Sequence, residues 1–300
     1  MASLVVTGAQ GFLGDAICRY FLARGYSVHG LIRSSASPAV PYLYSSDYSP
    51  VSLRRLFSSL RPTALIHAAG GSSVPGSVAD PGGDFQSGPA LTEDILSALR
   101  DTSPSTRFVF LSSAAVYGNP AALPVGESAA LQPLSPYGRH KVACEKLCAD
   151  FSTAVPCAIA RIFSAYGPGL RKQVLWDLCR KLSLSPTQLV LQGTGLESRD
   201  FIHSHDVVLA LDQILQSGAF DATAYNLAAG SEVTIRFLAE ELCRAMQVSP
   251  HIAFDGHVPE GNPLRWQADI FRLTGLGFAP TVPLAMGLHE YADWFRSTNS

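Results

Sequence analysis

The chain predicts an α/β fold: a doubly wound parallel sheet followed by a smaller α/β cap. Three observations carry this. Strand and helix patterns alternate through the first half. A glycine-rich turn sits directly between the first strand and the first helix. The alternation then loosens after Arg161. Strands alternating with helices imply parallel βαβ units.

Leu4-Val5-Val6-Thr7 is a short apolar strand. Phe12 to Arg24 has helical periodicity, with Phe12, Ile17, Tyr20, Phe21 and Leu22 apolar, and it stops at Gly25. A second strand is expected over Ser27 to Ile32, a helix over Val51 to Leu60, and a third strand opening at Ala64-Leu65-Ile66. Gly70 to Gly88, rich in Gly, Ser, Pro and Asp, reads as a long loop at the carboxyl end of the sheet, where ligands sit. Then come a helix over Leu91 to Arg100, a fourth strand over Phe108 to Leu111, a long helix over Tyr137 to Phe151 and a fifth strand over Cys157 to Ala160. Further helices are expected over Leu175 to Leu184, Val207 to Ser217, Ile235 to Met246 and Leu284 to Arg296. Pro and Gly punctuate Tyr166 to Gly169, Gly193 to Gly195 and Val258 to Pro263. The expected division is a dinucleotide-binding domain over 1–162 and a substrate-binding cap over 163–300, partly interleaved with the first.

With 300 residues, 47% hydrophobic and 15% charged, the chain can bury a large core. A net charge of -2 gives no electrostatic reason to expect nucleic acid or an anionic membrane as partner. No apolar run approaches the ~20 residues of a membrane helix. Met1 to Gly14 reads as strand and turn rather than as a signal peptide. Cys144 and Cys148 lie at helical spacing, and there is no CxxC pair or companion His cluster. Reduced, mostly buried thiols of a cytoplasmic protein are expected, and no metal site.

Thr7-Gly8-Ala9-Gln10-Gly11-Phe12-Leu13-Gly14 carries glycines in GxxGxxG spacing. Gly8 permits a tight turn, Gly11 lets backbone approach a diphosphate, and Gly14 allows close helix–strand packing. The helix start adds unpaired N–H groups and the positive end of its dipole. An acid at the end of the second strand would hold the ribose 2′-hydroxyl of NAD(H). This chain has Leu31-Ile32-Arg33-Ser34-Ser35 instead. A guanidinium followed by hydroxyls suits a 2′-phosphate, which favours NADP(H), with NAD(H) as the alternative. Asp47 either accepts from an adenine amino group or caps the helix near Val51.

Tyr137 and Lys141 stand four residues apart and share one helix face. A phenol is a poor base near neutral pH. An ammonium roughly 5 Å away, at an effective dielectric of about 20, attracts a phenolate by on the order of 3 kcal/mol. Such a pair can exchange a proton with a hydroxyl or carbonyl oxygen near physiological pH. The spacing alone also fits a solvated helix surface.

The glycine turn, Leu65-Ile66-His67-Ala68-Ala69, Leu111-Ser112-Ser113-Ala114-Ala115-Val116-Tyr117-Gly118, Pro136-Tyr137-Gly138-Arg139-His140-Lys141, Arg161-Ile162-Phe163-Ser164-Ala165-Tyr166-Gly167-Pro168-Gly169 and Arg199-Asp200-Phe201-Ile202-His203 occur in that order. Together they resemble the extended short-chain dehydrogenase/reductase family of nucleotide-sugar epimerases, dehydratases and ketoreductases. The resemblance implies a Rossmann sheet with a C-terminal substrate-binding cap. It assigns Tyr137 as acid/base, Lys141 as its partner on the nicotinamide ribose, and Ser113 as hydrogen-bond donor to the reacting sugar oxygen. It sets Gln10, Phe12, Leu13, Ala68 and Ala69 beside the cofactor. Arg199 resembles the arginine that holds the substrate diphosphate. Arg171, Lys172 and Arg265 are further phosphate candidates, and Ser164 stands where the family often has a substrate-contacting Asn.

The dehydratases carry acids directly after the catalytic Ser/Thr, where this chain has Ala114 and Ala115, which argues against 4,6-dehydration. Glu127, in the loop before the helix, is a distant substitute that either contacts substrate or lies in solvent. The resemblance therefore implies hydride transfer at carbon 4 of a nucleotide sugar. A 4-keto-sugar reductase is favoured because Arg33 points to NADP(H), and a 4-epimerase using the same residues is the alternative. A non-catalytic nucleotide-binding protein would need neither Tyr137 nor Lys141. The helices Leu91–Arg100 and Tyr137–Phe151 are those through which the family forms homodimers.

Overall fold

The structure is a computed structural model and describes residues 2–33, 42–71, 73–257 and 263–299. Ser34 and most of the punctuated stretch expected at 258–263 lie outside these. Strands β1 (Ser3–Thr7), β2 (Ser27–Ile32), β3 (Leu43–Ser45), β4 (Ala64–His67), β5 (Arg107–Ser113), β6 (Cys157–Ile162), β7 (Ser164–Tyr166), β8 (Gln188–Leu191), β9 (Ser198–His203), β10 (Asp221–Leu227), β11 (Glu232–Thr234) and β12 (His251–Phe254) form three sheets. The helices are α1 (Phe12–Ala23), α2 (Pro50–Leu60), α3 (Val74–Ala79), α4 (Pro81–Phe85), α5 (Leu91–Thr102), α6 (Pro136–Phe151), α7 (Gln173–Leu184), α8 (Ser204–Ser217), α9 (Ile235–Met246), α10 (Phe271–Thr274) and α11 (Leu284–Asn299).

The large sheet runs β10-β6-β5-β4-β1-β2-β3, and every pairing in it is parallel. Alternation along each strand feeds two cores. Leu4, Val6, Ile66 and Val109 enter the core shared with Ile17 and Phe21 of α1 and Val207, Val208 and Leu211 of α8. Val5, Leu65, Phe108 and Phe110 enter the opposite core, with Leu53 and Phe57 of α2, Ile95 and Leu99 of α5 and Cys144 and Cys148 of α6. A strand buried on both faces is apolar at nearly every position, as β4 and β6 are.

The chain crosses the expected boundary at 162/163 and then returns. β7, β8 and β9 leave the large sheet, whereas α8 and β10 rejoin it, β10 pairing with β6. β11-β9-β7 and β12-β8 make the small sheets. A third core joins Leu175, Leu178 and Leu182 of α7, Leu238 and Leu242 of α9, and Leu288, Tyr291 and Phe295 of α11. All six cysteines are free and buried. Among the described residues no helix is long and apolar enough to cross a membrane.

The segment from Gly70 to Gly88 is not the loop its composition suggests. It holds α3, α4 and a π-helical turn that runs into α5. The serines, Asp and prolines that look like loop composition are helix-start chemistry. Ser73 Oγ accepts from the Gly76 amide at 3.2 Å, and Asp80 Oδ1 from the Gly83 amide at 2.9 Å. Pro75 and Pro81 sit in first turns, where a missing N–H costs nothing.

Candidate active site

The carboxyl ends of β1, β2, β4, β5 and β6 open into one cleft of about 540 Å³. In a parallel sheet of this winding, ligands bind at that edge. Its floor is the turn between β1 and α1. Gly8 has φ +67, and a Cβ there would lie 2.8 Å from the Ala69 nitrogen. A Cβ on Gly14 would lie 2.1 Å from the Gly8 carbonyl oxygen, so α1 starts hard against the turn. Gly11 is the N-cap of α1 and no side chain caps it. The first-turn amides of α1 have no carbonyl one turn behind them and face the cleft mouth with the helix dipole. An anion is the partner such a start accepts, and the turn fits the diphosphate of a dinucleotide.

Behind the turn, Thr7 Oγ1 accepts from the Ala69 amide at 3.1 Å and lies 2.7 Å from His67 Nδ1. His67 Nε2 is 3.3 Å from Thr92 Oγ1. Burial, with a smaller effect from the Lys141 charge, pulls the His67 imidazole down to about 3. It is therefore a neutral structural link that ties β1, β4 and α5 together.

Ser113 ends β5 and caps the short 3₁₀ turn Ala114–Val116, its Oγ accepting from the Ala115 amide at 3.2 Å. Tyr137 and Lys141 lie on α6, whose first turn is capped by Ser135 Oγ accepting from the Gly138 amide at 3.2 Å. A Cβ on Gly138 would come within 2.7 Å of the Ala115 oxygen, so α6 rests on the residues that follow Ser113. Lys141 Nζ donates to the Leu111 carbonyl at 2.8 Å and lies 5.7 Å from the Tyr137 ring centroid. The Tyr137 amide donates to Ser77 Oγ of α3 at 3.0 Å, and Asp84 Oδ2 of α4 lies 2.6 Å from His140 Nδ1. Beneath, Glu145 of α6 accepts from Ser112 Oγ at 2.5 Å and from Arg161 Nη2 at 2.7 Å. Arg161 also donates to Tyr117 Oη and to the Glu127 carbonyl. This buried network joins α6, β5 and β6 under the cleft.

Gly8, Gln10, Gly11, Phe12, Leu13, Gly14, Arg33, Ala68, Ala69, Ser113, Tyr137 and Lys141 all line the cleft. Five expected site residues do not. Asp47 is exposed; its Oδ1 accepts from the Ser49 amide at 2.9 Å, which holds the carboxyl below its usual range. Ser49, not Asp47, caps α2. Ser164 starts β7 and is paired with Phe201 of β9. Arg171 lies over Trp176 and Trp294, with its Cζ 5.7 and 5.5 Å from their centroids. Arg265 forms a two-pronged exposed ion pair with Glu232, both contacts at 2.7 Å. Arg199 packs 5.3 Å over Trp266 and donates to the Ser198 carbonyl. Among the described residues no carboxylate pairs with it. Asp200 accepts from the Ala229 and Ala268 amides, and Asp206 from those of Thr281 and Val282. Burial pulls the Arg199 guanidinium down to about 10.

Glu127 fits neither expectation. It is buried against the Asn226 amide at 2.9 Å, within 3.9 Å of Arg272. No Asp or Glu lines the cleft among the described residues. The wall also contains Tyr48, Phe163, Leu170, Lys172 and Gln173. Of these, sequence reasoning singled out only Lys172, as a candidate for the substrate phosphates. A tyrosine just before a capped helix carries no signal of its own.

The model of the NAD dependent epimerase/dehydratase family matches residues 4–228. The chain belongs to that family. As an epimerase/dehydratase family member it is an enzyme of the short-chain dehydrogenase/reductase type. It is 34% identical to a GDP-6-deoxy-D-mannose reductase of Pseudomonas aeruginosa, over 97% of this chain and 96% of that protein. It is 28% identical to the UDP-glucose 4-epimerase of Mycolicibacterium smegmatis, over 98% of each. Among solved structures, RMD from Pseudomonas aeruginosa complexed with NADPH superposes with a TM-score of 0.86 and 29% identity, covering 99% of this chain and 100% of that one. MoeE5 in complex with UDP-glucose and NAD superposes with a TM-score of 0.89 and 25% identity, covering 100% of both chains.

Proposed function

We propose that this enzyme is an NADP(H)-dependent reductase acting at carbon 4 of a nucleotide-linked keto sugar. The observation that carries the reading is Arg33. It lines the cleft just past the end of β2, where an acid would be needed to hold an unphosphorylated ribose. The similarity to the Pseudomonas reductase supports the reductive direction and a nucleotide-sugar substrate.

The glycine turn and the α1 amides hold the diphosphate, and Arg33 the 2′-phosphate. Bound there, the reduced nicotinamide supplies a hydride to the carbonyl carbon. Ser113 Oγ accepts from Ala115, which leaves its own O–H to donate to the carbonyl oxygen. Tyr137 gives that oxygen its proton. Lys141, anchored on the Leu111 carbonyl, stabilises the phenolate left behind. Arg199 is the candidate for the substrate diphosphate, because a half-buried guanidinium with Glu197 nearby but, among the described residues, no carboxylate in direct contact gains from an incoming anion. A cleft wall without carboxylates among the described residues argues against elimination of a sugar hydroxyl.

Epimerisation at carbon 4 is the second reading, favoured by the similarity to the UDP-glucose 4-epimerase. Stoichiometry separates the two. Incubation of GDP-6-deoxy-D-mannose with NADP⁺ should produce NADPH absorbance. Isomerisation of UDP-glucose with no net change in added cofactor would replace the reductase reading. We also infer a homodimer through α5 and α6; a monomeric mass by light scattering would remove that inference.

A further inference from the structure

Tyr48 stands between β3 and the capped start of α2, and its side chain joins three parts of the cofactor end of the cleft. It is 5% exposed and has φ +57. A bulky residue held in the left-handed region signals a conformation imposed by its surroundings. That conformation sends the ring back beneath the turn. Tyr48 Oη donates to the Leu31 carbonyl on β2 at 2.8 Å and accepts from the Gly8 amide at 3.3 Å. The ring carries the Arg33 guanidinium, with Cζ 5.7 Å from its centroid. Burial raises the phenol above its ordinary range, so it stays neutral and keeps the proton it donates. Arg33 itself is exposed, and among the described residues no carboxylate fixes it.

We propose that Tyr48 is the positioning residue for selection of a 2′-phosphorylated dinucleotide: its ring orients Arg33 and its hydroxyl sets the glycine turn against the end of β2. The two halves act differently. The hydroxyl touches the diphosphate floor, which every adenine dinucleotide uses. The ring packs with Leu31, Leu53 and Phe57 in the core and, on the cleft side, carries the guanidinium that distinguishes a 2′-phosphate from a 2′-hydroxyl. The inference rests on the NADP(H) reading of Arg33 and deepens it.

The test is equilibrium binding of NADPH and NADH, followed by the fluorescence of the reduced cofactor, to the full chain and two variants. Tyr48→Phe keeps the ring and loses the hydroxyl; both affinities should fall by the same factor, with selectivity unchanged. Tyr48→Met fills most of the volume without a π face; NADPH should lose roughly two- to fivefold more affinity than NADH. Unchanged selectivity in Tyr48→Met, in a variant that melts cooperatively, overturns the proposal. So does a selectivity shift in Tyr48→Phe; if Tyr48→Met does not fold, Tyr48→Leu, which also lacks a π face, gives the same readout. A parent chain that binds NADH as tightly as NADPH removes the Arg33 reading itself. A parent preference that survives Tyr48→Met removes only Tyr48.

Discussion

Replacing Glu145 by Gln should be among the costliest single changes in this chain, although the substitution is nearly isosteric. Glu145 and Arg161 expose 6% and 7% of their side chains. The carboxylate takes Arg161 Nε at 3.0 and 3.2 Å and Nη2 at 2.7 Å, and also accepts from Ser112 Oγ. Gln keeps one acceptor oxygen but presents an NH₂ group where the second oxygen stood, facing a guanidinium that can only donate. Removing one partner of a buried ion pair costs about 3–5 kcal/mol, because the remaining charge stays buried without compensation. At roughly 2 °C for each kcal/mol in a chain of this size, the midpoint of thermal unfolding should fall by about 6–10 °C. Urea unfolding monitored by circular dichroism gives the free energy directly. Glu93→Gln, on the exposed face of α5, is the control and should stay within about 0.5 kcal/mol. A loss below about 1 kcal/mol in Glu145→Gln would refute the reasoning and mean that water reaches the pair.

Tyr137→Phe should lower turnover by about 10²-fold or more while leaving the melting temperature and cofactor affinity near those of the parent chain, as read by steady-state kinetics and cofactor fluorescence. Gly14→Ala places a methyl 2.1 Å from the Gly8 carbonyl oxygen, and backbone must move; expect cofactor affinity to drop at least tenfold and stability by about 1–3 kcal/mol. His67 titrates near 3 in the folded chain and near 6.5 unfolded, so the native state binds fewer protons. Its contribution is complete above pH ~6.5 and is lost as pH falls towards 3, by about 2 kcal/mol at pH 5. A His67→Gln variant should therefore lose less stability than the parent between pH 7 and pH 5; equal slopes would assign the acid sensitivity elsewhere.

Legibility from sequence followed how local the determining physics is. The five strands read in the first half share their cores with Leu4, Leu65, Phe108 and Ile159, apolar runs that need no partner to be recognised. The cleft residues found in advance lie on tight motifs, at Gly8, Ser113 and the Tyr137–Lys141 turn. The differences are nonlocal or hide behind composition. Ser73 and Asp80 looked like loop residues because a cap and a turn draw on the same side chains. Arg171 and Arg265 stand against Trp294 and Glu232 rather than on the cleft wall, and those partners, far away in sequence, are invisible to spacing. Tyr48 was missed because its role depends on Gly8, Leu31 and Arg33 meeting in space.

The return of β10 to the large sheet has a consequence for the order in which the molecule can be completed on the ribosome. β6 is finished at Ile162, but its outer neighbour ends at Leu227, and α8, which covers Ile17 and Phe21, begins only at Ser204. At about 5–20 residues per second, the emerging chain waits several seconds with one face of its first core open and one sheet edge unpaired. In that interval β7, β8 and β9 are made and must not settle on the vacant edge. Two of them are only three and four residues long, too short to compete well for it.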